Sequence, residues 1–362
     1  MADFRPQLGS VLIMAGGTGG HVFPALAVAH ELEQLGARPL WLGTKHGLEA
    51  RVVPEAGYKL LTIAISGLRG KGFLSWLLAP LMLAAALLQS VQIMMSVRPA
   101  VVLGLGGYVS APGGIAAWLL RRPLLIHEQN AVVGTTNRLL AHFAVRVMEG
   151  FSGAFAAKYQ AIHTGNPVRG EILAIAGKDA RRENRAQPVR VLIVGGSQGA
   201  AVLNQIVPAA LAMLADWPIE VLHQCGKDEA DTRNRYRAVG LNADVRAFID
   251  EMSSAYSWAD VVIARAGALT LAEITAVGLG SVLVPYPHAI DDHQAVNARI
   301  LESHGAALVI PQSELHPRRL ASELTQLLSD PERLVTMAAS ARKLGKPDAA
   351  AQVARLCMEC MK

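Results

Sequence analysis

Short apolar runs alternate with helix-like stretches along most of this chain. The run "SVLIMA" (10–15) closes on glycines, and a helical stretch follows from about Val22 to Leu35. Then come "RPLWLG" (38–43), "LLTIAI" (60–65), "AVVLGLG" (100–106), "PLLIHE" (123–128) and "VRVMEG" (145–150), each separated from the next by helix-like sequence. Short, continuous apolar runs set between helices predict parallel strands buried on both faces. After the polar stretch "GKDARRENRAQP" (177–188) the cycle restarts. "VRVLIVGGSQGAAVLNQIVPAAL" (189–211) repeats the plan of "SVLIMAGGTGGHVFPALAVAHEL" (10–32), with Gly195 in the place of Gly16. Strand-like runs follow at 219–223, 244–248, 260–264, 281–285 and 306–310. The pattern predicts an α/β chain of two doubly wound parallel-sheet domains of similar size. The joint falls near "HTGNPVRG" (163–170), where Gly165 and Pro167 break regular structure. In such sheets ligands sit beyond the carboxyl ends of the strands, so a cleft between two domains is the expected site.

Composition narrows the classes. Of the 362 residues 52% are hydrophobic and 17% charged, which suits a well-buried chain and argues against disorder. The net charge of +5 admits nucleic acid, anionic lipid or a phosphorylated substrate as partner. Aromatic residues are only 5% and no basic–aromatic interleaving occurs, which disfavours nucleic acid. Three cysteines, Cys225, Cys357 and Cys360, make no disulfide framework and point to a reducing compartment. The C-x-x-C they include has no second pair to complete a zinc shell. "MADFRPQLGS" lacks the apolar core of a signal peptide.

The glycine turns carry the first chemistry. "GGTGGH" (16–21) and "GGSQGA" (195–200) both lie between strand and helix. There, backbone N–H groups and the helix dipole favour an anion. Neither fits G-x-G-x-x-G or a Walker loop, so NAD and a P-loop nucleotide are disfavoured. Tight turns and close helix–sheet packing are the competing explanation for the same glycines. A third anion site is predicted at "ARAGALTLAEITAVG" (264–278), where Ala268, Leu269 and Thr270 supply first-turn donors and Glu273 is placed to accept from a diol such as ribose. No metal site emerges. "PHAIDDHQ" (287–294) groups His288, Asp291, Asp292 and His293, but the two aspartates suit a helix N-cap better.

The motifs "GGTGGHVFPALA", "LGTKHGLEARVVPEAGY", "SGLRGKG", "GGYVSAPGGIAA", "HEQNAVVGTTNRLL", "TGNPVR", "GGSQGAAVLN", "ARAGALTLAEITAVG" and "DDHQAVNA" occur in this order. Together they resemble the MurG family, the bacterial N-acetylglucosaminyltransferases of peptidoglycan synthesis, from about Val11 to Ala349. The resemblance implies a GT-B fold of two Rossmann-like, doubly wound parallel-sheet domains with a cleft, an acceptor and membrane-associating domain at 1–166 and a UDP-GlcNAc-binding domain at 167–345, and a C-terminal helix at 346–362 that returns to the first domain. It implies inverting transfer of GlcNAc from UDP-GlcNAc to the MurNAc 4-hydroxyl of undecaprenyl-diphospho-MurNAc-pentapeptide, lipid I, giving lipid II. No metal and no cofactor would be required. The family's setting would be peripheral, on the anionic cytoplasmic face of the inner membrane, beside other cell-wall synthesis proteins.

Matched residue by residue, the resemblance implies donor-site roles for Ser197 and Arg169. It places Ile249 at the uracil, Ala268, Leu269 and Thr270 at the phosphates, and Glu273 at the ribose. Gln294 and Asn130 match contacts to the sugar. The residues just before Gln294 depart from the family pattern, so its alignment is less secure than that of Asn130. Thr18, Gly19 and Gly20 belong to the loop near sugar and acceptor. The reaction needs a base for the acceptor hydroxyl. His21 is the candidate because an imidazole titrates at about pH 6.5; a capping or structural role is the competing reading. Tyr108 and Glu128 are candidates for acceptor binding or assistance to the base. A different GT-B glycosyltransferase and a UDP-GlcNAc 2-epimerase remain as alternatives; "SGLRGKG" with "HEQN" speaks against the first, and the second would have no need of a lipid-facing surface.

The uncharged stretch Phe73–Val97 is long enough to cross a bilayer, which takes about 20 apolar residues. A span there would divide the first sheet and set the two glycine turns on opposite sides of a membrane. Pro80 and the stripe Gln89, Gln92 and Ser96 also speak against one. The stretch is therefore expected to form one or two helices with most of their length packed on the core. Phe73, Trp76, Leu77 and Trp118, ringed by Arg69, Lys71, Arg121 and Arg122, are expected to enter an anionic leaflet shallowly.

Overall fold

The structure, a computed structural model, describes residues 9–66, 73–176, 188–196, 199–214, 217–289 and 292–361, without the side chains of 73–78 and 331. Arg69, Lys71 and Ser197, and the side chains of Phe73, Trp76 and Leu77, lie outside the described residues. The chain divides into two compact units, Met1–Arg169 with Pro347–Lys362, and Gly170–Lys346.

The first unit runs β1 (Ser10–Met14), α1 (Gly19–Gln34), β2 (Arg38–Gly43), α2 (Glu49–Glu55), β3 (Lys59–Thr62), α3 (Phe73–Val97), β4 (Val101–Gly104), α4 (Ser110–Leu119), β5 (Leu124–Glu128), α5 (Thr135–Leu140), β6 (Arg146–Glu149) and β7 (Ile162–His163). The strands form one parallel sheet in the order β3-β2-β1-β4-β5-β6-β7. Because successive side chains point to opposite faces, β1 serves two cores. Val11 and Ile13 pack with Val22, Val28 and Leu32 of α1. Leu12 and Met14 pack with Ala86 and Met94 of α3 and Ala116 of α4.

The second unit runs α6 (Gly170–Leu173), β8 (Val189–Val194), α7 (Ala201–Leu211), β9 (Ile219–Gln224), α8 (Glu229–Ala238), β10 (Asp244–Arg246), α9 (Met252–Trp258), β11 (Val261–Ala264), α10 (Ala268–Val277), β12 (Gly280–Leu283), α11 (His293–Ser303), β13 (Leu308–Val309), α12 (Pro317–Ser329) and α13 (Pro331–Leu344). Its parallel sheet has the order β10-β9-β8-β11-β12-β13, the same winding as the first. α12 and α13 start on Pro after His316 and Asp330, whose side chains accept the N–H of Arg319 and Arg333. The last helix, α14 (Ala349–Glu359), belongs to the first unit, where Ala350, Val353, Ala354 and Cys357 join the core lined by α1.

Winding order matters for function. The connection reverses direction between β1 and β4, and again between β8 and β11, and such switch points are where open α/β sheets hold ligands.

One expectation is corrected. α3 is a single helix that carries Pro80 within it, and only 17% of the Ala79–Val97 stretch is buried. Ala79, Ala86, Ser90 and Met94 make a narrow inward stripe, whereas Leu81, Leu88 and Met95 are 70%, 64% and 59% exposed. The reason is placement: α4 fills the space over the sheet, and α3 lies alongside α4 with one edge inward. Gln89 accepts the N–H of Ala64 at 2.7 Å, so part of its polar stripe is used for holding the chain that leaves β3. By length and composition alone Ala79–Val97 meets the criteria for a membrane-crossing helix.

Candidate active site

In the first unit the switch point is built from the β1–α1 and β4–α4 turns. α1 begins at Gly19, three residues before the apolar pattern suggests, so His21 sits inside its first turn. Thr18 is the N-cap residue. Its carbonyl accepts the N–H of His21 and Val22, and its hydroxyl lies 3.4 Å from His21 Nδ1. Gly17 has φ +95°, a region open to glycine at little cost. The ring of Tyr108 covers it, 3.2 Å from where a Cβ would stand. The other edge of His21 lies against Gly106, Cδ2 and Nε2 each 3.0 Å from a Cβ built there, with Asn137 Nδ2 at 3.7 Å. A Cβ on Gly107 would run into the Gly16 carbonyl, so the two turns touch backbone to backbone. Gly20 is exposed and Gly19 half-buried, against Phe23.

The third loop at this edge follows β5. Glu128 is buried, and both its oxygens are occupied: Oε1 accepts the backbone N–H and Nδ2 of Asn130, and Oε2 accepts the N–H of Gly134 and Nδ2 of Asn137. That carboxylate shapes the loop and holds Asn130 in it. Beside it, His127 is fully buried; Nε2–H donates to the Gly165 carbonyl at 2.9 Å, and Nδ1 accepts from Gln129. Burial drives its pKa down, so the ring is neutral. Asn166 ties the same loop from the other side by donating to the Gln129 carbonyl. Residues 164–168, read from sequence as a joint, are thus buried and stapled to the β5 loop. Arg169 lies with its guanidinium 5.4 Å from the ring of Phe23.

In the second unit the β8–α7 turn approaches the neighbouring chain closely. A Cβ on Gly199 would strike the Cys225 carbonyl, which also accepts from Asn204 Nδ2 at 2.9 Å. Asn204 Oδ1 in turn meets His223 Nε2, and His223 Nδ1 meets the Tyr236 hydroxyl. After β11, Gly267 caps α10, and Ala268, Leu269 and Thr270 form its first turn. Glu273 stands half-buried one turn further on, where the buried Tyr256 donates its hydroxyl to Oε2 at 3.0 Å. One oxygen of Glu273 is therefore positioned by the protein. Ile249 is buried in the loop after β10, next to an exposed Phe248. Gln294 turns its Oε1 to the N–H of Tyr286 at 3.0 Å, so its side chain braces the loop that follows β12. Asp292 is the N-cap residue of α11 with φ +51°, but makes no side-chain cap bond; Asp291 lies outside the described residues.

The N-terminal domain of glycosyltransferase family 28 matches residues 11–149, and the C-terminal domain of that family matches residues 190–353. The chain belongs to glycosyltransferase family 28. A relative from Nitrosococcus oceani, named UDP-N-acetylglucosamine–N-acetylmuramyl-(pentapeptide) pyrophosphoryl-undecaprenol N-acetylglucosamine transferase, is 54% identical over 96% of this chain and 98% of its own length. The crystal structure of Acinetobacter baumannii MurG superposes with a TM-score of 0.83 at 39% identity, over 97% of this chain and 99% of that one. A UDP-N-acetylglucosamine 2-epimerase structure from Listeria monocytogenes, at 15% identity and a TM-score of 0.67 over 95% of this chain and 94% of its own, shares the fold alone. The fold is thus the GT-B type that family 28 carries, and the chain is a transferase of that family.

Three residues that sequence reasoning passed over brace the candidate residues within their own units. Tyr256 orients Glu273. Asn137 links Glu128 to the surroundings of His21. Arg265, half-buried at the end of β11, donates to the carbonyls of Val284 and Pro285 and to Gln312, and burial lowers its pKa. An arginine closing an otherwise apolar strand was the available signal for the last. Among the described residues no group of three or more His, Cys, Asp or Glu converges as a metal site. Of the basic–aromatic ring, Trp118 and Arg121 are exposed, Arg122 is half-buried, and Trp118 packs on Phe143 with ring centroids 5.0 Å apart.

Proposed function

We propose that this chain transfers GlcNAc from UDP-GlcNAc to the 4-hydroxyl of undecaprenyl-diphospho-MurNAc-pentapeptide, with inversion. The observation that carries the reading is the near-full-length identity to relatives that bear the name of this transferase. The geometry supplies a chemical rationale. His21 Nε2 takes the hydroxyl proton as the oxygen attacks the anomeric carbon, and the C1–O bond to UDP breaks on the opposite face. The leaving diphosphate is received by the first-turn N–H groups of α10 and the dipole of that helix, with Glu273 on the ribose diol. Asn130 holds the sugar, and Gln294, Arg169, Ser197 and Ile249 complete the donor contacts. Glu128 acts by holding Asn130, since its oxygens are already taken. Tyr108 shapes the acceptor side of the β1–α1 turn.

The test is to offer UDP-GlcNAc and a short-chain lipid I analogue in EDTA and to look for the disaccharide. Absence of product with epimerisation of the donor overturns the reading, and a strict need for divalent ions overturns its metal-free part. His21→Ala is expected to leave UDP affinity within about twofold and to cut turnover by about 10²–10⁴-fold. Unchanged turnover removes His21 from the mechanism.

We further propose a peripheral position on the anionic cytoplasmic leaflet. It is supported by the exposed apolar edge of α3, with Trp118 and Leu119 at the end of α4 and Arg121 beside them. Charge reversal at Arg69, Lys71 and Arg121 that left binding to anionic vesicles unchanged would remove this part.

A further inference from the structure

Glu49 is the first residue of α2 and is completely buried. Its Oε1 accepts the N–H and the hydroxyl of Thr44, at 3.0 and 2.7 Å. Its Oε2 accepts the N–H of Gly17, 32 residues away, at 3.0 Å. Thr44 in turn accepts the N–H of Gly47. Among the described residues no Lys or Arg forms an ion pair with Glu49, so hydrogen bonds stabilise the carboxylate. A second observation agrees. Three glycines from two loops and a strand end make room for this one side chain. A Cβ on Gly16 would stand 2.8 Å from Oε1, one on Gly43 would stand 2.7 Å from Cγ, and one on Gly47 would overlap the carboxylate.

We propose that Glu49 is a positioning residue for the transfer, fixing the β1–α1 turn and through it His21 and Tyr108; it rests on the reading of His21 as base. Among the described residues the Gly17 N–H is the one group of that turn that donates to Glu49, and its place in the turn matters. Gly17 precedes the N-cap Thr18, whose carbonyl starts α1 at the His21 N–H. The Tyr108 ring lies on Gly17 itself. The Gly16 carbonyl is the contact point for Gly107, next to the Gly106 that His21 touches. One buried carboxylate therefore joins the loops after β1 and β2, and the loop after β4 rests on the joint. Release of Gly17 lets all three shift, and a misplacement of about 1 Å costs about 10²-fold in rate.

Glu49→Gln tests this. The amide is isosteric, but its NH2 meets an N–H in either orientation, that of Gly17 or that of Thr44. The expected result is a kcat lower by about 10- to 100-fold, with the KM for UDP-GlcNAc near the parent's, a melting temperature lower by only a few degrees, and faster hydrogen exchange at the Gly17 amide. In a His21→Ala background the same change should lower kcat less than threefold, because the group it positions is gone. A kcat within threefold of the parent, an unchanged Gly17 exchange rate, or an equal loss in both backgrounds overturns the proposal. A melting temperature that falls together with UDP affinity does so too, since that is a structural role only. If Glu49→Gln does not fold, Thr44→Val removes one anchor of the carboxylate and is expected to show the same kcat-only pattern, more weakly; its absence then decides against the proposal. If His21→Ala alone leaves turnover intact, the base assignment fails, while the Gly17 exchange and the kcat of Glu49→Gln still decide whether Glu49 sets the turn.

Discussion

The buried histidine beneath the β8–α7 turn predicts how the second unit responds to acid. Asn204 spends its N–H on the Cys225 carbonyl, so its oxygen is left to accept from His223, which fixes the proton on Nε2. Nδ1 then accepts the Tyr236 hydroxyl at 2.9 Å. Burial pushes the imidazole down to about 3, against an ordinary value of about 6.5 in the unfolded chain. Below pH ~6.5 the unfolded state therefore binds a proton that the folded state refuses, and stability falls as pH falls until about pH 3. His223 alone then costs about 1.4 kcal/mol at pH 5.5 and about 2 kcal/mol at pH 5, relative to pH 8. His127, also pushed down by burial, adds a loss of the same sign in the first unit. The assay is urea unfolding from pH 7.5 to 5.5 on the parent and on His223→Gln. The variant is expected to be weaker at neutral pH yet to lose about 1.4 kcal/mol less over that interval. A His223 ring resonance that titrates between pH 5 and 7 in the folded protein, or equal pH slopes for the two proteins, refutes the reasoning.

Tyr256→Phe removes the hydroxyl that donates to Glu273. UDP affinity is expected to fall about tenfold, as for a bond of about 1.5 kcal/mol to a charged group, in a calorimetric titration with the fold intact; an unchanged affinity separates Glu273 from the ribose. Gly107→Ala drives a Cβ into the Gly16 carbonyl at φ +79°, and is expected to cost about 2–4 kcal/mol in chemical unfolding; a loss under about 1 kcal/mol would show that the two turns are free to separate. Leu88→Asp changes a residue that is 64% exposed. Stability is expected to stay within about 0.5 kcal/mol while sedimentation with anionic vesicles drops, and a large loss of stability would instead mark α3 as a core helix.

The fold was readable because parallel strands buried on both faces must be short, uninterrupted and apolar, and because the second glycine turn repeats the first. Where the reading stopped has a common physical reason. Burial is a property of what covers a residue, and local pattern does not report the cover. The apolar length of α3 read as core material, yet α4 already occupies the sheet, and the leucines at 81 and 88 face outward. Glu49 drew no reading at all, because the partner that gives it meaning, the Gly17 N–H, lies 32 residues away in another loop. The two-residue strand β7 carries two exposed side chains and has no apolar signature. Tyr256 lies in no quoted motif, and Asn137 lies in "HEQNAVVGTTNRLL" with nothing to set it apart; only the fold brings them to Glu273 and Glu128.

The first sheet carries a further regularity that bears on why the site is rigid. Glu49, Glu128 and Glu149 are all buried at the carboxyl edge of the sheet, each in or beside the loop that leaves β2, β5 or β6. Each spends both oxygens on donors of its own loop or the next, Glu149 on the N–H groups of Gly153 and Phe155. A parallel sheet ends there in loops whose N–H groups lie too deep for water and have no strand partner, so each must find an acceptor. A carboxylate offers about four lone-pair directions from one side chain and accepts more strongly than a neutral group. Three such clips turn flexible strand ends into a fixed rim, and His21, Tyr108 and Asn130 all stand on that rim. The cost of burying three carboxyl groups is thereby tied to the preorganisation of the groups that stand on the rim. Removal of one clip should accordingly act on turnover before it acts on ligand affinity.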